Sequence, residues 1–140
     1  MAAGTTYDAP ALKELRTSLV DITTGSQFNA PELSIFDDSR ISVHADVTFA
    51  NAKLTSYTNT ANAYDTIFAA SGANAVLELP SLRTLTIGGG GYTKTIVASQ
   101  GGRIDLSGVT SIQTPPAQYG YLSVTAESGG VVELSNLRSI

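Results

Sequence analysis

Six short segments of this chain can be laid over one another without a gap, and that internal repeat limits the accessible folds more than any other feature. They are Tyr7–Leu12, Phe28–Leu33, Phe49–Leu54, Leu77–Leu82, Ile104–Val109 and Val132–Leu137. Their first residues stand 21, 21, 28, 27 and 28 positions apart. Each segment runs on, three residues later, to a further large apolar side chain: Leu15, Phe36, Tyr57, Leu85, Ile112 and Ile140.

The first and third motif positions, such as Ile104 and Leu106, are mostly apolar and two residues apart, the period of a strand with one buried face. The residue between them (Asp8, Asn29, Ala50, Glu78, Asp105 or Glu133) points to water. Pro10, Pro31, Ala52, Pro80, Ser107 or Ser135 follows, where proline suits a corner because it presets φ and carries no amide to satisfy. The chain re-enters the interior at Leu12, Leu33, Leu54, Leu82, Val109 and Leu137. Upstream of the motifs a second apolar alternation occurs, as in Ile41-Ser-Val43 and Ile96-Val-Ala98, followed in the later repeats by the Gly101-Gly102 and Gly129-Gly130 pairs. Such glycines suit a turn that needs φ above zero.

Strand, glycine turn, strand, corner, short strand: this order predicts an all-β, single-stranded parallel β-helix of about six coils of 21–28 residues, forming one domain over 1–140. Coils spaced by about 4.8 Å would give a rod roughly 29 Å long. One coil cannot shelter its own apolar face, so stability must come from stacking. Two rivals remain open at this level. Residues 8–19 could form an amphipathic helix capped near Asp8 with Pro10 in its first turn. Leu79, Leu82, Leu85 and Ile87 are spaced as in a leucine-rich repeat, although no inward Asn or Cys column accompanies them. The first motif lacks an obvious preceding cap and the chain stops within a repeat, so we expect a segment of a longer repeat protein.

Residues 98–112 (ASQGGRIDLSGVTSI) and 126–140 (AESGGVVELSNLRSI) resemble repeats of the large right-handed β-helix surface proteins of bacteria, including adhesin and autotransporter stalks. The resemblance extends over nearly the whole chain and is weakest in the first three coils, where the Gly-Gly pair is missing. It implies a right-handed solenoid, a secreted or cell-surface location and a structural or adhesive use, with no catalytic residues to carry over.

Composition narrows the partners. Net charge is −4 and the eight Lys and Arg are scattered, against the clustered cations a nucleic-acid surface requires. No apolar run approaches membrane-spanning length, and no signal peptide is visible. Cysteine is absent, which removes disulfides and thiolate metal sites. His44 is the only histidine and reads as a surface residue, and no metal or cofactor is expected.

The later coils are longer, and the surplus falls after the third strand, in the inserts 58–64, 88–92 and 114–119, each ending in tyrosine. Inserts at a fixed register project from one edge of a solenoid. Tyr64, Tyr92, Tyr119 and Tyr121, with Asn59, Asn62 and Gln118, form the candidate ligand-binding strip, its partner a surface glycan or polymer. The competing reading is that each tyrosine folds back over its own loop. Gly88–Gly91 lacks the Lys-Ser/Thr ending of a phosphate loop.

A polysaccharide lyase or hydrolase would need converging carboxylates. The outward acids Glu78, Asp105 and Glu133 are too regular for a tuned acid/base pair, and Lys13, Arg83 and Arg138 are placed to offset them across the corner. Ice binding would want a threonine row, and Thr84, Thr110 and Thr125 do not share a register. The expectation is therefore a non-catalytic structural or adhesive scaffold, with a carbohydrate-binding module as the first alternative and a polysaccharide-active enzyme as the second. Exposed strand edges at the two ends predict head-to-tail association.

Overall fold

A computed structural model describes residues 4–114 and 120–140 of the chain. The six motif strands are β1 (Thr6–Asp8), β3 (Gln27–Asn29), β5 (Thr48–Ala50), β8 (Val76–Glu78), β11 (Arg103–Asp105) and β14 (Val131–Glu133). The upstream strands are β2 (Leu19–Ile22), β4 (Arg40–His44), β7 (Asp65–Ser71), β10 (Thr93–Ser99) and β13 (Tyr121–Glu127). A third set comprises β6 (Ser56–Asn59), β9 (Thr84–Ile87) and β12 (Ser111–Gln113). All pairing is parallel and every ladder joins one coil to the next. The architecture is a parallel β-solenoid. No helix occurs among the described residues, and the segment after Asp8 is a turn leading to an isolated bridge at Glu14, so the helical alternative for 8–19 does not hold.

The stacking is in register. Tyr7 pairs with Phe28, and Phe49, Leu77, Ile104 and Val132 succeed one another across four layers. Glu78, Asp105 and Glu133 align likewise, so Leu82, Val109 and Leu137, four residues further on, occupy adjacent layers. Leu82 and Val109 are fully buried, and Leu137 in the last layer packs partly against them.

Two turns repeat through the coils. At the corner, Leu12, Leu33, Leu82, Val109 and Leu137 each donate their amide to the carbonyl three residues back. In the third coil the Asn51 side chain replaces that carbonyl: its Oδ1 accepts from the Lys53 and Leu54 amides, while Nδ2 donates to the Ala30 and Leu33 carbonyls one layer away. The other turn places a left-handed residue ahead of every motif strand, at Gly4, Gly25, Asp46, Asn74, Gly101 and Gly129, with φ of 74°, 78°, 60°, 57°, 85° and 81°. The turn thus runs through all six coils and not only where Gly-Gly occurs. Asp and Asn tolerate this conformation because their short polar chains bond locally, and Asn74 Nδ2 donates to Asp46 Oδ1 across the layers at 2.9 Å.

One ladder is missing. The motif sheet is interrupted between β3 and β5. There the Phe28 and Phe49 rings stack with centroids 5.9 Å apart and planes 14° from parallel. That separation exceeds the strand spacing of about 4.8 Å, and the strands that carry the rings form no ladder here. An open groove of about 400 Å³ lies there, lined among others by Gln27, Phe28, Asn29, Asp46 and Thr48. The interior is otherwise closely filled: the cavity among Leu33, Phe36, Phe49 and Leu54 measures about 10 Å³.

Because Leu82 is enclosed by layers on both sides, Leu82→Ala is expected to cost about 2–5 kcal/mol, measured by urea denaturation. A loss under about 1 kcal/mol would contradict the stacked-core description.

Candidate functional site

The inserts at 58–64 and 88–92 lie where the spacing places them, between the third-strand sheet and the upstream sheet, and 115–119 of the third fall outside the described residues. In the two early coils this junction is a tight turn with Thr17 and Asp38 in the left-handed region, at φ of 51° and 52°. In the later coils β6 and β9 instead run on into residues 60–64 and 88–92.

Tyr64 is 74% exposed and Tyr121 62% exposed, whereas Tyr92 is half-buried. The Tyr64 and Tyr92 rings meet edge to face, centroids 5.0 Å apart at 82°. Tyr92 buttresses Tyr64 and is the less exposed of the pair, while Tyr64 and Tyr121 stand in solvent. Asn62 is exposed at the tip of its loop. Tyr119 and Gln118 lie outside the described residues. Asn59 does not belong to the strip: it is fully buried, donating from Nδ2 to the Tyr57 hydroxyl at 2.9 Å, with its Oδ1 unpartnered among the described residues. The cause is phase. Asn59 lies two residues after inward Tyr57 and shares its face. Tyr57 in turn donates to the Ser39 carbonyl, and burial pushes its phenol well above the ordinary value.

The side chain that organises this edge is Lys94. It is fully buried, and its Nζ donates to the Ala61 carbonyl at 2.6 Å and the Ala63 carbonyl at 2.5 Å, with Asp65 Oδ2 at 3.4 Å. A buried ammonium is costly unless its donors are matched, and here three oxygens receive them. Lys94 thereby pins the 60–64 loop from the layer above. The following loop lies close against it: a Cβ on Gly89, whose φ is 108°, would stand 2.2 Å from the Ala61 carbonyl oxygen. Asp65 also pairs with Arg40 at 3.3 Å.

On the motif sheet, Arg103 offsets part of the charge of the acidic row, contacting Glu133 at 2.6 Å, Asp105 at 3.6 Å and Glu78 at 3.7 Å. This corrects the expectation for the cations beyond the corner. Arg83 instead donates to the Pro80 and Gly108 carbonyls, stapling two layers. A Cβ at Gly108 would sit 2.1 Å from the Arg83 guanidinium and 2.2 Å from the Pro80 oxygen, which is why glycine stands there. Partial burial raises the Asp105 pKa, but hydrogen bonds from Ser107 and the nearby Arg103 charge outweigh it, leaving the carboxyl below its ordinary 3.8.

His44 stands on the solenoid surface, its Nε2 2.7 Å from Asp21 Oδ1. No cluster of three or more His, Asp or Glu side chains that could hold a metal occurs among the described residues. Thr84 aligns with Ser111, so Thr110 falls outside its column. Comparison with protein-family models, curated proteins and solved structures returns no match.

Lys94→Met removes the donor while keeping the stem, leaving the Ala61 and Ala63 carbonyls without their cation and Asp65 with Arg40 alone. The expected loss is about 3 kcal/mol, with faster amide exchange confined mainly to residues 60–65 and 88–93. Exchange unchanged in those loops would show that Lys94 does not hold them.

A depressed carboxyl stabilises the fold above its unfolded-state value, and that contribution is lost as pH falls through the folded-state value. The stability difference between the wild type and Asp105→Asn should therefore be larger near pH 6 than near pH 2, by urea midpoints. A difference constant across that range would contradict the assignment.

Proposed function

We propose that this chain is a non-catalytic scaffold segment of a secreted or cell-surface protein, of the adhesin-stalk kind that its repeats resemble, and that its insert-bearing edge is the adhesive surface. The observation that carries this reading is the division of labour between the coil and its inserts. Apolar columns and laddered backbone form the rod, while the insert loop pinned by Lys94 holds Tyr64 outward with Tyr92 packed against its ring. A preorganised aromatic edge binds with little ordering cost. Among small ligands it suits sugars, whose ring faces stack on tyrosine, so a carbohydrate-binding module is the second reading and shares the same edge. A polysaccharide-cleaving reading has less support: the aligned acids converge on one guanidinium, an arrangement that ties them up in ion pairs.

A glycan and polymer array probed with the whole chain is expected to give hits that Tyr92→Ala weakens severalfold, with no release of reducing ends when calcium is supplied. Hits indifferent to that change, or an array with none, would overturn the adhesive edge. Reducing ends above background would overturn the non-catalytic assignment.

The last layer presents the outer edges of β13 and β14 with Val124, Val131 and Ile140 exposed, and the first exposes Tyr7 and Leu19. Unpaired edges carrying apolar side chains favour addition of further strands. Sedimentation velocity should show reversible head-to-tail association growing with concentration, and a strict monomer throughout would refute it.

A further inference from the structure

The strand register organises the tyrosines in a way their sequence positions hide. Lys94 pairs with Asp65, so Thr93 stands level with Tyr64, and Thr93 pairs directly with Tyr121. Tyr64, Thr93 and Tyr121 therefore form one column on three successive layers. Lys94 and Leu122, the next residues in their strands, turn toward the core, so this column faces outward. Tyr92 is one residue out of phase and supports Tyr64 from the side.

Resting on the adhesive-edge reading, we propose that this column is a linear platform for an uncharged, flat β-1,4-linked polysaccharide lying along the solenoid axis. Two layers separate Tyr64 from Tyr121, about 10 Å of backbone spacing. An extended β-1,4-linked chain turns each ring over relative to the last, so only every second sugar offers the same face to a surface beside it. The two exposed phenols are spaced to stack on such alternate rings, with the small Thr93 between them leaving room for the inverted sugar.

The surroundings fit a neutral ligand. Thr66, Thr95 and Ser123 form the adjacent outward column in register, offering hydroxyls to sugar hydroxyls. Neither column carries a charged side chain. Lys94 is buried beneath them and Asp65 is paired with Lys94 and Arg40. The exposed Arg40 beside these columns is already paired with Asp65, and with a net charge of −4 in addition the chain offers little to an anionic polysaccharide. A helically coiled α-1,4-linked glucan curves away from a straight column.

The test is isothermal titration of the whole chain with cellohexaose and chitohexaose, alongside cellobiose, maltohexaose and oligogalacturonate. The β-1,4-linked hexasaccharides should bind at least about tenfold more tightly than cellobiose, and Tyr64→Ala and Tyr121→Ala should each remove about tenfold. Both side chains are exposed, so unchanged thermal melting verifies that the variants are folded. Tyrosine-dependent binding that prefers maltohexaose or oligogalacturonate overturns the β-1,4 platform and leaves the adhesive edge standing. Binding to none of these, with array hits that Tyr92→Ala still weakens, also overturns the platform alone. Loss of both signals overturns both.

Discussion

Everything in this molecule depends on parallel backbone ladders that bring equivalent residues of successive coils into line. A coil of some two dozen residues has an apolar interior too small to hold itself, and only the layers above and below remove it from water. Register therefore becomes the controlling quantity: a slip of one residue would turn Ile96 and Ala98 outward and bring Thr95 and Val97 inward. The corner hydrogen bonds and the left-handed turn before each motif strand are the devices that hold it. Each resets the chain to the same phase once per coil, whatever happens in the inserts.

That independence explains how the chain accommodates loops of different length without losing the core. The inserts enter at the junction between the third-strand sheet and the upstream sheet, and β7 and β10 regain common register beyond a bulge near Ile96. The loops are not left to themselves either. Lys94 reaches from the interior to the carbonyls of the 60–64 loop, so the exposed Tyr64 stands on backbone that the core itself secures.

The coil order, the motif column and the insert edge were legible in the sequence because stacking demands the same class of residue at the same place in every layer. Phe49, Leu77, Ile104 and Val132 announce themselves by that rule. Lys94 was hidden by its charge, although it falls in phase with Ile96 and Ala98, which was the available signal. Asn59 was misplaced for the same reason, being in phase with Tyr57. The left-handed turns at Asp46 and Asn74 carry no glycine to mark them, only the short polar side chains that tolerate positive φ. Arg103 precedes its strand's apolar residue and carries no spacing signature, and no pattern of residue types encodes the gap between β3 and β5.

The gap has a mechanical meaning. Across that one boundary the first two coils are joined to the rest by the β2–β4 ladder, by the Asn51 side chain on the motif side, and by hydrogen bonds between Asp37 and Asp38 and the Thr58 and Thr60 backbone on the third-strand side. Tension along the axis is equal at every joint of a serial structure, and at this one the motif face meets it without a ladder. When this joint parts, the four coils beyond it keep their own ladders, and the tyrosines they carry stay mounted while the near end of the rod yields.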